Sequence, residues 1–394
     1  MINVLFITDP GIVGGATKSL LELVCGLKAF ADVNITVCTS EYNKLNRILK
    51  DSGIHSIVDG HATAMNVRSN SRYWYRYYGK YFKCILSHRW STITSVKRIE
   101  SLVDIDSYHL IHTNSARNDI GCILSQKHGI AHVMHIREFG NTDFDCWYLR
   151  PNYYHFLNKG VNQFIAISEA VKKSWIARGI DSKKIKVIYN GVDYRRIVQA
   201  DSQSQLNCET LKLVISGGVY PTKGQYQIIE AMGILPEDIR NKVTLSIYGW
   251  SENWYIKELL ERAEELGISQ QVTYHGAKED MFTLLCNYHV GLTCSRAEGF
   301  GRVTAEYMHA GLGVIVSNTG ANHELIQNEK TGLVFEMNNY QDLADKIILL
   351  YQKRELLVEY GEHAKKYAIA HFTNELNTRN IFNEYMRLLG SIGK

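Results

Sequence analysis

Ser295-Arg-Ala-Glu-Gly-Phe-Gly-Arg-Val-Thr-Ala-Glu306 is the stretch on which the reading of this chain turns. The apolar run His289-Val-Gly-Leu-Thr-Cys294 precedes it and has the length of a buried strand. Val303 to Ala310 predicts a helix closed by Gly311, and Val314-Ile-Val316 predicts the next buried strand. Strand, glycine loop, helix and strand form one parallel βαβ unit, its loop at the carboxyl end of a strand. Open α/β sheets bind ligands along that edge.

The loop carries its own chemistry. Gly299 and Gly301 let backbone N–H groups approach a ligand, and the helix that follows offers free N–H groups and a positive dipole end. That is a phosphate cradle. Glu298 and Glu306 bracket it, so each could accept hydrogen bonds from hydroxyls on either side of a phosphate. The alternative reading makes Glu298 an acid capping the helix and Glu306 a solvated helix residue.

Two further loops repeat the theme. Gly14 and Gly15 lie between the strand Ile2 to Ile7 and a helix from about Thr17 to Leu27, either as a tight turn or as an approach path for a ligand. Leu211-Lys-Leu-Val-Ile-Ser216 is a strand, followed by Gly217-Gly-Val-Tyr-Pro-Thr-Lys-Gly224 and a helix from about Gln225. Lys223 is there a solvated loop lysine or a cation for phosphate. Polar, non-periodic sequence between Gln199 and Glu209 puts a domain boundary between Gly191 and Leu211.

Length and composition bound the rest. At 394 residues two domains are expected, and 45% hydrophobic with 21% charged residues is ordinary for a globular protein. A net charge of +4 is too small to argue for nucleic acid. The 8 cysteines form no C-x-x-C pair and no Cys/His cluster at metal spacing, so they are expected to be reduced thiols, with no metal and no cofactor. Met1-Ile-Asn-Val-Leu-Phe-Ile7 reads as a strand rather than a signal peptide, and no apolar run has the length of a membrane span.

One stretch departs from this average. No acidic residue occurs between Asn66 and Ile99, where Arg72, Arg76, Lys80 and Arg89 interleave with Trp74, Tyr78, Phe82 and Trp90. Aromatics mixed with cations suit a membrane–water interface, a stacking surface for sugars or single-stranded nucleic acid, or a surface helix whose rings pack on the core.

The Glu298-to-Glu306 motif with Gly-Phe-Gly inside it resembles the signature of retaining nucleotide-sugar glycosyltransferases of family 4, which have the GT-B fold. The likeness continues through Ala310-Gly-Leu-Gly-Val-Ile-Val-Ser317, Gly320, Glu324-Leu-Ile326 and Thr331-Gly-Leu-Val-Phe335, and upstream in Tyr189-Asn-Gly-Val-Asp193 and Lys223-Gly224. It spans nearly the whole chain.

The resemblance implies an α/β chain of two Rossmann-like domains facing across a cleft. The first, 1–190, would take the acceptor and the second, 191–372, the donor, with a terminal helix, 373–394, crossing back to the first. It implies a retaining, metal-independent hexosyltransferase acting on a nucleoside-diphosphate sugar and a saccharide or lipid-linked acceptor. Catalysis would rest on His135, Glu298 and Lys223. Gly14, Gly15, Gly218, Lys223, His275, Gly276, Glu298, Gly299, Phe300, Gly301, Arg302, Val303 and Glu306 would hold the donor. His112, Asn114, Arg137, Glu138 and Lys278 are secondary candidates.

Arg72, Trp74, Arg76 and Lys80 would meet the acceptor or an anionic membrane, giving a cytoplasmic protein peripheral to the inner face of the cell membrane in envelope or capsule polysaccharide synthesis. One position departs from the pattern. Gly218 stands where the family carries an arginine, and Arg302 is the candidate to supply that charge. The alternatives are a sugar epimerase of the same fold and a non-catalytic nucleotide-sugar-binding module.

Overall fold

Near-continuous apolar strands such as Ile2–Ile7 and Leu110–Thr113 need cover on both faces, which is the condition of a parallel sheet flanked by helices. The computed structural model, which describes residues 1–8, 14–67, 74–140, 146–201 and 206–392, meets that condition twice. The chain divides into one unit of Met1–Gly191 with Asn374–Lys394 and another of Val192–Thr373. The segment after Gly191 therefore belongs to the second unit rather than to a linker. Within it Val198 N–H donates to the Phe282 carbonyl at 3.2 Å and Ala200 N–H to the Ala310 carbonyl at 3.0 Å.

The strands of the first unit are β1 (Ile2–Ile7), β2 (Val33–Thr39), β3 (His55–Val58), β4 (Met65–Val67), β5 (Leu110–Thr113), β6 (Ala131–Ile136), β7 (Cys146–Tyr148), β8 (Gln163–Ala166) and β9 (Ile185–Val187). Seven of them form a parallel sheet in the order β3-β2-β1-β5-β6-β8-β9, while β4 and β7 pair antiparallel beside it. One apolar layer joins β1 and β2 to helix Gly15–Phe30 and to Ile381, Tyr385 and Leu388 of helix Asn374–Ile392. The latter helix is pinned there by Asn374 to the Glu22 carbonyl at 3.2 Å and Asn377 to the Tyr189 carbonyl at 2.7 Å.

The second unit holds β10 (Leu211–Ser216), β11 (Val243–Tyr248), β12 (Val272–Tyr274), β13 (Val290–Thr293), β14 (Gly313–Ser317) and β15 (Leu333–Phe335), a parallel sheet ordered β12-β11-β10-β13-β14-β15. The order reverses beside β10, which lies between β11 and β13. That is a topological switch point, where open parallel sheets leave a crevice at their carboxyl edge. The loops after β10 and β13 both begin there.

Candidate active site

The turn after β10 and the loop after β13 are stitched together. Arg296 N–H donates to the Thr222 carbonyl at 3.0 Å. Gly224 closes the turn at φ +75°, and a Cβ there would come within 2.0 Å of the Cys294 carbonyl oxygen, so only glycine permits this approach. A third segment holds the loop from behind. The Ser317 and Thr319 hydroxyls donate to the Ser295 carbonyl at 2.9 and 2.6 Å, and Ala321 N–H donates to the Glu298 carbonyl at 2.8 Å. Gly320, at φ +59°, lies so close to the Glu298 backbone that a Cβ would sit 2.5 Å from its nitrogen. Glu298 is thus held by its main chain, which leaves its side chain a defined direction.

That side chain meets Lys223, Nζ to Oε2 at 2.8 Å, with the lysine about one-third exposed and the glutamate mostly covered. The pair lines a cavity of about 40 Å³ together with Ser216, Gly218, Thr293 and Val303. Glu298 does not cap the helix that follows. Helix Arg302–Ala310 starts from Gly301 at φ +83°, a residue with no side chain to cap it.

Glu306 is not a solvated helix residue either. It is buried, and its Oε1 accepts from Arg302 Nε at 3.1 Å one turn earlier. Phe300 is buried, edge-on to Phe372 at 5.7 Å. The Gly218 carbonyl accepts from Gln225 Nε2 at 3.1 Å, and a Cβ at Gly218 would meet the Tyr220 ring at 2.2 Å. His275 follows β12, flat on Tyr248 with ring centroids 4.5 Å apart, and Gly276 beside it adopts φ +69°. Lost hydration and nearby Lys278 lower the His275 pKa.

The carboxyl edge of the first unit is built from side chains instead. His112 and His135 are the next-to-last residues of β5 and β6, both fully buried. The Tyr385 hydroxyl bonds His112 Nδ1, His112 Nε2 lies 3.3 Å from His135 Nδ1, and Arg137 Nη2 donates to that same Nδ1 at 3.4 Å. Arginine only donates, so His135 Nδ1 accepts and its Nε2 carries the hydrogen. Nε2 is buried without a partner. Burial, then the charge of Arg137, holds the His135 pKa well below its ordinary value, so the ring is a neutral N–H donor.

Arg137 is positioned by the Asn114 carbonyl at 3.0 Å, Asn114 Oδ1 at 2.9 Å and Asn190 Oδ1 at 2.8 Å. Glu138 is buried and accepts from the Ser115 hydroxyl at 3.2 Å. Gly14 is the N-cap of helix Gly15–Phe30, and Gly15 is its first residue.

Two features of this edge have no local trace in the sequence. Tyr385 lies 273 positions from the histidine it bonds, and only its place in the apolar stripe of helix Asn374–Ile392 marks it as buried. Cys38, Asp59 and His61, dispersed in sequence, bring ligand-type atoms within 4.8 Å of one another. Both His61 nitrogens are engaged, Nδ1 with Asp59 Oδ1 at 2.5 Å and Nε2 with the Thr8 carbonyl at 3.0 Å. The trio therefore acts as a clamp on the end of β1.

The basic aromatic stretch forms helix Trp74–Leu102. Arg72 lies outside the described residues, as do the side chains of Trp74 and Arg76; Lys80 is exposed. No helix among the described residues is long and apolar enough to cross a membrane.

Residues 13–196 match the family described as Glycosyltransferase Family 4, and residues 199–367 match Glycosyl transferases group 1. A glycosyltransferase of Methanocaldococcus jannaschii is 24% identical over 278 residues, 70% of this chain and 75% of that protein. The Escherichia coli UDP-Gal:alpha-D-GlcNAc-diphosphoundecaprenol alpha-1,3-galactosyltransferase is 23% identical over 352 residues, 84% of this chain and 86% of its own. Among solved structures, Anabaena HepE in complex with UDP superposes with a TM-score of 0.81 at 20% identity, covering 98% of this chain and 100% of that one. With the Gly-Phe-Gly loop, its two glutamates and both parallel sheets in place, the chain belongs to family 4 of the glycosyltransferases and has their GT-B fold.

Proposed function

We propose that this glycosyltransferase moves a sugar from a uridine diphosphate donor to a hydroxyl of a lipid-linked saccharide, with retention of anomeric configuration and with no metal ion. One observation carries the donor half of this reading: the Lys223–Glu298 ion pair beside the uncapped start of helix Arg302–Ala310. Lys223 exchanges the Glu298 carboxylate for the diphosphate, whose charge grows as the glycosidic bond breaks. The helix N–H groups share that charge, so stabilisation is strongest where the reaction demands it. Glu298, released, accepts hydrogen bonds from the transferred sugar's hydroxyls. Glu306 holds the ribose, and in the first unit the His135 Nε2–H is a donor suited to a neutral hydroxyl or ring oxygen. Arg302, paired to Glu306, orients that carboxylate. UDP as the leaving group has support in the UDP and UDP-glucose complexes of the Anabaena protein.

The acceptor half rests on helix Trp74–Leu102. Tyr78, Phe82, Leu86, Trp90 and Ile93 are exposed and recur at helical three- and four-residue steps, so they form one apolar stripe. Lys80, Lys83, Arg89 and Lys97 flank it, also exposed. An anionic bilayer complements both, and a diphosphoundecaprenol acceptor in the E. coli relative is of that kind. The site of action is then a membrane face where envelope polysaccharide is assembled.

Calorimetric titration with UDP, GDP and ADP in excess EDTA tests the donor half. UDP is expected to bind at least tenfold tighter than the other two. Binding by none of them would overturn the reading, and binding without turnover of any UDP-sugar would leave a nucleotide-sugar-binding protein. The anomeric configuration of the product, read by NMR, tests retention.

A further inference from the structure

A second cavity, of about 510 Å³, opens in the first unit between helix Trp74–Leu102 and the strand β4. Its wall is formed in part by Lys83, Ser87, His88 and Ser91 of the helix and by Asn66 and Arg117. Residues 83, 87 and 91 recur at four-residue steps, so they share a face. At about 100° per residue that face borders the apolar stripe of Phe82, Leu86 and Trp90. Cavity and stripe are therefore neighbours along one helix.

The cavity carries positive charge and a buried donor set. Lys83 and Arg117 are its charged lining residues, and no carboxylate is among the described ones. His88 is buried, with Nε2 3.3 Å from Asp119 Oδ2, and its Nδ1 is buried with no partner. Asp119 also accepts from Arg150 Nε at 2.7 Å. Burial opposes its charge, but hydrogen bonds from His88 and Arg150 outweigh it and keep the carboxyl below its ordinary range. Asp119 therefore stays ionised beside His88 and holds its ring through Nε2. The remaining wall is mainly apolar, with Met65 and Leu149 among its residues. Such a site takes an anion attached to a hydrocarbon, not an anion alone.

We propose that this cavity binds the phosphate or diphosphate of a prenyl-type acceptor lipid, whose chain continues along the exposed stripe of the same helix. The inference rests on the lipid-linked acceptor reading above and names the residues that would seat its charged end. Lys83 and Arg117 bind the phosphate oxygens, while His88, Ser87 and Ser91 complete the polar wall.

The test is calorimetry on the full chain with three soluble probes: farnesyl diphosphate below its micelle concentration, farnesol and inorganic pyrophosphate. Farnesyl diphosphate is expected to bind at least tenfold tighter than either of the others. Lys83→Glu, at an exposed position that folding tolerates, and His88→Gln are each expected to weaken it about tenfold while leaving UDP binding unchanged. Equal affinity for pyrophosphate and farnesyl diphosphate would reduce the site to an adventitious anion pocket and overturn the proposal. So would farnesyl diphosphate binding that neither substitution alters. UDP titration reports on the second unit alone, so loss of UDP binding would count against the donor reading and not against this cavity.

Discussion

The carboxyl edges of the two sheets solve related problems with different materials. After β10 and β13 the chain uses main-chain geometry, with Gly224 and Gly320 admitting close backbone contacts and a helix start left uncapped. After β5 and β6 it uses buried imidazoles aligned by a tyrosine and an arginine. The first kind of edge suits an anion, because N–H groups and a lysine offer positive potential without specific shape. The second offers one directed N–H in a dry setting, which suits a neutral hydroxyl or ring oxygen.

The largest expected effect strikes the first edge. Glu298→Gln is expected to lower kcat by about 10³-fold and to leave the UDP Kd within threefold; comparable loss of both would make the residue a support for the loop. Lys223→Met should lower kcat/KM by about 10²-fold and weaken UDP more than uridine. Equal weakening of the two ligands would remove Lys223 from the diphosphate site and erase the contrast between the edges.

Acid sharpens the comparison on the other side. Burial depresses the pKa values of His112 and His135 and brings His132 down to about 4, all on β5 and β6, while in the second unit it brings His289 down, also to about 4, and lowers His275. The unfolded chain takes up protons on these rings near pH 6.5 and the folded chain does not. Their contribution is therefore intact above that pH and declines as pH falls toward 4, by about 1.4 kcal/mol per pH unit for each ring. Surface His128, raised by its bonds to Glu100 and Asp106, works weakly the other way. Hydrogen exchange, corrected for intrinsic rates, should show β5 and β6 losing protection at pH 5.5 before β10 and β13. Simultaneous loss would mean that the two edges do not differ in this respect.

Smaller effects probe the ties within each edge. Arg302→Ala removes the guanidinium bonded to Glu306 Oε1 in a mostly covered site and should lower stability by about 2 kcal/mol, with partial recovery in the Arg302→Ala/Glu306→Ala double variant. Tyr385→Phe removes the hydroxyl that orients His112 and, through it, His135. A three- to tenfold fall in kcat with KM unchanged is expected, and no change would reduce the tyrosine to packing.

The contrast also explains what could be read from the sequence. Glycine spacing and an apolar strand are local signals, so the loop from Ser295 to Glu306, Lys223-Gly224 and the parallel βαβ order were legible. Glu306 proved harder. Spacing placed it on the helix, but its burial against Arg302 depends on how helix Arg302–Ala310 packs. Of the Tyr385–His112–His135 relay the sequence offered both histidines but neither Tyr385 nor the contacts that join the three, which only the fold makes. The same holds for the cavity beside Lys83, since His88 and Asp119 stand 31 positions apart and meet only in the fold.

Helix Asn374–Ile392 has a consequence for how the molecule comes into being. Ile381, Tyr385 and Leu388 are part of the core laid on β1 and β2, although some 180 residues of another unit separate them from Gly191. On the ribosome the strands from Ile2 onward emerge first yet wait for these side chains, while Val192–Thr373 has all its parts sooner. The unit written second in the gene is thus able to finish first. A polypeptide interrupted between Thr373 and Tyr385 carries a complete second unit and an unfinished first one, lacking both a core layer and the hydroxyl that aligns His112. Synthesis itself therefore acts as a check, since the histidine relay is assembled only once the helix has been made.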